Sequence, residues 1–181
     1  MMERESANQS DPACVASEGA LPILSSEVSG RFHYRVAGVV VDGERVLLCR
    51  AEVDDFWTLP GGHVHLHEAA EDALRREMRE ELGAEVEVRR LLWVLESFFG
   101  DQVRHHEVGL YFLMAFAPES SMYTRDQFSG DEGGLHLRLR WFPRDRERLA
   151  LLPALPVFLQ EALAQELPKS PQHIVNQEPH L

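Results

Sequence analysis

Glu77, Glu80 and Glu81 stand three and four residues apart in a run from Leu59 to Ala84 that reads LPGGHVHLHEAAEDALRREMREELGA. On an α-helix those separations place side chains on one face. Like charges so placed repel by roughly a few tenths of a kcal/mol per exposed pair. The cluster becomes favourable when a divalent cation sits among the carboxylates. Oxygen donors with no nearby Cys point to a hard ion such as Mg²⁺, with Mn²⁺ as the alternative. Gly61 and Gly62, just upstream, let the backbone turn tightly and approach a metal or phosphate. Four more places could do chemistry. Arg50 ends an apolar run near the glycine turn, where it meets either a substrate phosphate or a surface ion partner. Glu107 enters a strongly apolar stretch, where a carboxylate is paired, metal-bound or catalytic; Arg50 or Arg104 would be its pairing partner. Asp131 and Glu132 lie in a polar segment and could supply a base or a further ligand. His63, His65 and His67 alternate, but no carboxylate or Cys completes a transition-metal set, and solvated loop histidines are the plainer reading.

The elements that must position these groups follow from periodicity. Leu74, Met78 and Leu82 recur every four residues and form the apolar ridge of a helix that begins near His67 or Glu68. It ends at Gly83, a usual C-terminal glycine position. An exposed Glu/Arg-paired helix accounts for Glu71, Asp72, Arg75 and Arg79, but not for three carboxylates beside that ridge just after a double-glycine turn. Upstream, Arg31 to Val41 alternates as a strand, and Asp42-Gly43 signals a hairpin to Val46–Arg50. Downstream, Glu85 to Phe99 reads as a long strand bent near Arg89-Arg90, then Gly100-Asp101 turns the chain. His105 to Phe116 is apolar on both sides after Gly109, as a central, doubly covered strand would be. Pro118 to Gly134 is polar and long for a connection, as binding lids are; Tyr123 and Phe128 would close over a base. Trp57 either stacks on a base or joins the core. Leu135 to Phe142 is a further strand, Arg144 to Leu149 a helical turn, and Pro153 to Leu167 a terminal helix. Strands around one amphipathic helix make a layered α/β fold.

The spacing goes further. Gly62, five residues, Glu68, seven residues, then Arg76-Glu77-Met78-Arg79-Glu80-Glu81-Leu82-Gly83-Ala84 resembles the box of the Nudix hydrolase family at every charged and glycine position. Ala84 stands where a larger aliphatic residue is usual, which touches packing and not chemistry. The similarity of pattern extends loosely from Tyr34 to Leu163. The resemblance implies the Nudix fold, a mixed β-sheet sandwiched between α-helices. It also implies Mg²⁺-dependent hydrolysis of the pyrophosphate bond in a nucleoside diphosphate linked to another moiety, such as an ADP-ribose-like compound or a nucleotide sugar. By the same resemblance Arg76 holds the glutamates, Glu68 supports that network or a metal-bound water, and a backbone carbonyl at Gly61 joins the metal shell. The general base varies in the family; Glu77, Glu107 and Glu132 are candidates in that order. Arg50, Gly62, Trp57, Tyr123 and Phe128 are the candidate substrate contacts. The alternatives are a nucleoside triphosphate pyrophosphohydrolase of the housecleaning type, a non-catalytic nucleotide sensor on the same fold, and, weakest, RNA decapping.

Composition bounds these readings. The chain of 181 residues fits one domain, expected over residues 31–167 between tails at 1–30 and 168–181. A formal net charge of −12 repels nucleic acid, whereas a bound cation reverses the local field for a small phosphorylated substrate. Two cysteines, Cys14 and Cys49, make neither a disulfide framework nor a zinc set, which argues a reducing, cytoplasmic setting. The sequence has no signal-peptide core and no run long enough to span a bilayer. A small-molecule nucleotide is the expected partner, and a homodimer stays open.

Overall fold

Two β-sheets carry the site, and the chain passes from the first to the second at Val40. The computed structural model describes residues 30–100 and 103–177. Strand β1 (Arg31–Val39) lies parallel to β6 (His105–Phe116), with Arg31 opposite His105 and Val39 opposite Leu113. The first sheet is completed by β4 (Gly61–His63), β5 (Val86–Phe99) and β9 (Gln172–Gln177), in the order β4-β1-β6-β5-β9. The second sheet takes β2 (Val41–Asp42), β3 (Arg45–Ala51), β8 (Leu135–Pro143) and β7 (Gln127–Glu132), in the order β2-β3-β8-β7. The expected central position of β6 is observed. So is the bend in β5, as register shifts between Val88 and Arg90 and between Leu91 and Trp93.

Helix α1 (Ala70–Leu82) fills the space between the sheets. Its fully buried Ala73, Leu74 and Met78 meet Val36, Phe112 and Met114 from one sheet and Leu47, Leu137 and Leu139 from the other. Gly83 closes it in the left-handed conformation at φ 60°, its N–H bonded to the Arg79 carbonyl. The helix starts two to three residues later than its sequence suggests. His67 takes φ 65°, the Glu68 N–H bonds back to the His65 carbonyl, and the Glu68 carboxylate accepts from the His65 N–H. The segment is therefore a turn held by Glu68 itself. On the other face of the first sheet a second core gathers Val39, Trp93, Leu95 and Tyr111 with Trp57 and Leu48. It lies beneath Leu149, of the short helix α2 (Arg146–Ala150), and Leu159, of α3 (Phe158–Ala162).

Four expectations need correction. The partner of β3 across Asp42-Gly43 is the short β2, Val41 opposite Val46, and not the first strand, because the chain has already changed sheets. The terminal helix is only five residues long. Pro153 and Pro156 remove backbone donors, and Trp57 N–H to Pro153 and Leu155 N–H to Trp57 tie this stretch down as a bridge. The segment from Pro168 is no loose tail: Gln172–Gln177 runs parallel to Trp93–Phe98, with Ile174 turned to the core and the Asn176 amide donating to Ser97 Oγ at 3.0 Å. The polar stretch read as a lid holds a strand, β7, which pairs with β8 across a Gly133-Gly134 turn of positive φ. Residues 1–29 and Asp101, expected as tail and turn, lie outside the described residues. Among the described residues no helix is long and apolar enough to cross a membrane.

Candidate active site

Arg76 is the hub of the site. Its Nε and Nη2 donate to the two oxygens of Glu68 at 2.8 and 2.9 Å, Nη1 donates to Glu77 at 2.8 Å and Glu80 at 3.1 Å, and Nη2 also reaches the His63 carbonyl at 2.9 Å. One planar fork thus ties the α1 carboxylates to the turn that precedes the helix and to strand β4. The contact with Arg76, helped by the His65 N–H, holds the Glu68 carboxyl down at about 2. The same hydrogen bonds, with that from Glu68 largest, push the Arg76 guanidinium further up.

Glu77 and Glu81 are buried, at 7% and 4% exposure, whereas Glu80 is exposed. Glu81 is pushed up to about 8, first by burial and then by Glu132 and Glu77; Arg35 and the Gly61 N–H pull the other way. Its Oε2 is buried without a partner among the described residues. A group this poorly compensated is what a cation site leaves for the ion to satisfy. Gly61 and Gly62 press the turn against the helix. Gly61 has φ 146°, and a Cβ there would meet the Val36 carbonyl; a Cβ at Gly62 would run into the Glu77 carboxylate. Among the described residues no three His, Cys, Asp or Glu groups already converge at coordinating distance. The exposed Glu80 carboxylate is held by Arg76 Nη1 at 3.1 Å. The donor set of Glu77, Glu81, Glu80 and the nearby Glu132 is all oxygen, so it fits a hard dication.

The other expected site residues are distributed as follows. Glu132 stands near enough to Glu81 to raise it. Glu107 lies on the opposite face of the sheet from α1, in the same alternation as Tyr111 of the second core, and its nearest cation is Arg35 at 4.0 Å, not Arg50 or Arg104. Arg50 sits with its guanidinium carbon 5.1 Å from the centre of the Trp57 ring, and its buried Nε has no partner among the described residues. Trp57 itself is core, edge-on to Phe142 at 4.8 Å. Phe128 is also core, and the Tyr123 hydroxyl is tied to the Phe116 backbone at 3.0 and 3.3 Å. His63 does not join His65 and His67. It meets His33 at 3.2 Å, and the other nitrogen of His33 meets His105 at 2.8 Å. These rings form a row rather than converging on a point, and burial lowers the pKa of both His33 and His63. The sequence reading missed Arg35 and Tyr111. Alternation would have found them, because residues 33, 35 and 37 share a face with 105, 107, 109 and 111 once β1 is placed beside β6.

Comparison with known proteins bears on the whole domain. The model of the NUDIX domain matches residues 31–162. Over 62 residues the chain is 37% identical to the putative ADP-ribose pyrophosphatase YjhB of Bacillus subtilis, covering 34% of this chain and 30% of that protein. The match thus spans less than a third of that relative's length. Among solved structures, a UDP-X diphosphatase is similar with a TM-score of 0.55 at 20% identity, over 81% of this chain and 68% of that one. The MutT protein from Methanosarcina mazei is similar with a TM-score of 0.55 at 17% identity, over 74% and 91%. At these identities the likeness is one of fold.

Proposed function

The chain belongs to the Nudix family, and we propose that it hydrolyses the pyrophosphate bond of a nucleoside diphosphate linked to a second moiety, an ADP-ribose-like compound or a nucleotide sugar. The observation that carries this is the pair of buried carboxylates, Glu77 and Glu81, set against the Gly61-Gly62 turn, with one oxygen of Glu81 unpartnered among the described residues. Glu77, Glu80, Glu81 and the Gly61 carbonyl would hold Mg²⁺, or Mn²⁺ in its place. A dication bound there neutralises diphosphate charge and readies a water for attack. The rest is work for the side chains. Arg76 keeps Glu77 and Glu80 aligned, Glu68 keeps Arg76 aligned, and Gly62 leaves room for Glu77. Glu77 and Glu132 stand in the carboxylate cluster and are the candidates for taking the proton from water; Glu107, across the sheet, is better suited to meeting substrate. Arg50, whose buried Nε has no partner among the described residues, is suited to a phosphate oxygen and Trp57 to carrying Arg50; Tyr123, tied to the Phe116 backbone, and Phe128 pack in the core around α1.

We place the protein in a reducing cytoplasm, because its two cysteines, Cys14 and Cys49, make no disulfide framework. A panel of ADP-ribose, NADH, nucleotide sugars and nucleoside triphosphates, each with Mg²⁺ and Mn²⁺, tests the reading. Release of a nucleoside monophosphate from the linked diphosphates supports it. Release of pyrophosphate from triphosphates alone replaces it with the housecleaning reaction. Tight binding with no turnover makes the protein a sensor.

A further inference from the structure

Helix α1 covers only part of the sheet face on which it lies. Val36 of β1 and Phe112 of β6 meet the helix. The parallel register carries the same alternation back to Phe32 beside His106 and Tyr34 beside Val108. The face continues onto β5 and β9, with Phe98 opposite His106 and Val175 opposite Glu96. Beyond the helix it lies open: Phe32 is 48% exposed, Tyr34 and Phe98 37% each, and Val175 51%. The rings of Phe32 and Phe98 flank that of His106, edge-on at 5.5 Å and tilted at 4.5 Å. The Nε2 of His106 is buried without a partner among the described residues.

The size of this patch decides what fits it. Four side chains exposed to that extent leave roughly 300 Å² of mostly apolar surface. A stable dimer buries about 800 Å² on each partner, so this face alone falls well short of one. A short apolar segment matches it, and the chain supplies one close by. Residues 1–29 join the described structure at Gly30, and the next residue, Arg31, donates its N–H to the Arg104 carbonyl at the near end of the patch. Their strongest apolar run is Leu21-Pro22-Ile23-Leu24. The stretch from Leu24 to Arg31 reaches about 24 Å when extended. From Phe32 across β6 and β5 to Val175 on β9 is about 16 Å, from the spacing between strands and the rise along them. The run therefore reaches the whole patch of its own chain.

We propose that Leu21, Ile23 and Leu24 fold back over this face of their own chain and cover Phe32, Phe98 and Val175. Pro22 lacks a backbone donor and biases the residue before it to an extended conformation, which suits a segment laid across strands rather than a helix. Glu18 and Glu27 flank the run, and Arg31 and Arg104 are exposed at the near edge of the patch, so charge favours the same placement. A segment crossing the two rings also brings backbone groups to the His106 nitrogen, and buried polar atoms are ordinarily satisfied.

A double-mutant cycle on the full chain tests this. One variant carries Leu21→Ser, Ile23→Ser and Leu24→Ser together, a second carries Phe32→Ser, and a third carries all four changes. Urea unfolding and the fluorescence of a dye that binds exposed apolar surface are read for each. The triple variant is expected to lower the urea midpoint by about 0.5 M and to raise dye fluorescence severalfold. In the Phe32→Ser background the same three changes should lower the midpoint by less than half as much, because the surface they cover is already damaged. An unchanged midpoint and dye signal in the triple variant overturns the proposal, and so do strictly additive losses in the combined variant. A wild-type dimer at micromolar concentration that Phe32→Ser dissociates and the triple variant leaves intact overturns it as well, since a second copy then occupies the face.

Discussion

Arg76 grips Glu68 with two parallel hydrogen bonds, Nε to one oxygen at 2.8 Å and Nη2 to the other at 2.9 Å. Glu68 comes from the turn and Arg76 from the helix, so this fork fixes the angle at which α1 presents Glu77 and Glu80. A lysine keeps the charge and loses the fork. Arg76→Lys is therefore expected to lower metal-dependent kcat/KM about 10- to 100-fold, in the range seen when groups that orient metal ligands are removed. A Mg²⁺ titration of activity checks it: the half-saturating concentration should rise, and full recovery at high Mg²⁺ would mean that Arg76 acts on metal affinity alone.

Glu68 and Glu81 pull the pH dependence of stability in opposite directions. The Glu68 carboxyl is held at about 2 in the folded protein, below its ordinary 4.5. Its stabilising contribution is fully present above about 4.5 and is lost as pH falls toward about 2. Glu81 is raised from 4.5 to about 8, so its protonated form favours the fold, and stability falls as pH rises from about 4.5 through about 8. Metal-free protein should melt highest near the lower end of that window, between about pH 4.5 and 6. Added Mg²⁺ should raise the melting temperature more at pH 8 than at pH 6, because binding below about 8 must expel the Glu81 proton. Differential scanning fluorimetry across pH, with and without the ion, measures both.

Gly62→Ala places a methyl group against the Glu77 carboxylate. Moving Glu77 would also break its 2.8 Å bond from Arg76. Destabilisation of about 1–3 kcal/mol is expected, with loss of most of the activity even at temperatures where the variant is folded. Denaturant unfolding and an activity assay on the same sample separate the two effects.

Much of this was legible in the sequence. The box residues Gly62, Glu68, Arg76, Glu77, Glu80 and Glu81 announce themselves by spacing, and the four-residue recurrence of Leu74, Met78 and Leu82 places them on one helix. The central position of β6 followed from its two-sided apolar pattern. Other features depended on tertiary pairing that spacing does not encode. Gln172–Gln177 is polar except for Ile174 and Val175, and becomes a strand only because β5 offers an open edge. Phe128 looks like a loop aromatic until β8 is laid beside it. The Pro153–Leu167 stretch has helical periodicity, but two prolines and the hydrogen bonds to Trp57 override it. Glu107 stands out in the sequence as a carboxylate in an apolar run, yet the face it occupies depends on the parallel pairing of β1 with β6, which joins residues more than seventy positions apart.

Deleting residues 172–181 tests the closing strand. It removes the pairing with Trp93–Phe98, the Asn176 to Ser97 hydrogen bond and the packing of Ile174. A loss on the order of 2 kcal/mol is expected from one partly buried aliphatic side chain and the lost bonds, read as a lower urea midpoint. Activity at low temperature should persist, since the described contacts of Gln172–Gln177 are with β5 and the second core and not with the carboxylates of α1.

The central claim is that Glu77, Glu80 and Glu81 hold a hard dication beside the Gly61-Gly62 turn. Titration of Mn²⁺ into wild type and Glu81→Gln, followed by electron paramagnetic resonance of the free ion, addresses it most directly. Wild type should take up Mn²⁺ at a site that Mg²⁺ competes for. Glu81→Gln should melt no lower than wild type, since it removes a poorly compensated buried carboxyl, and should lose that uptake together with metal-dependent turnover. Equal Mn²⁺ binding and near-normal turnover in a folded Glu81→Gln protein would contradict the account.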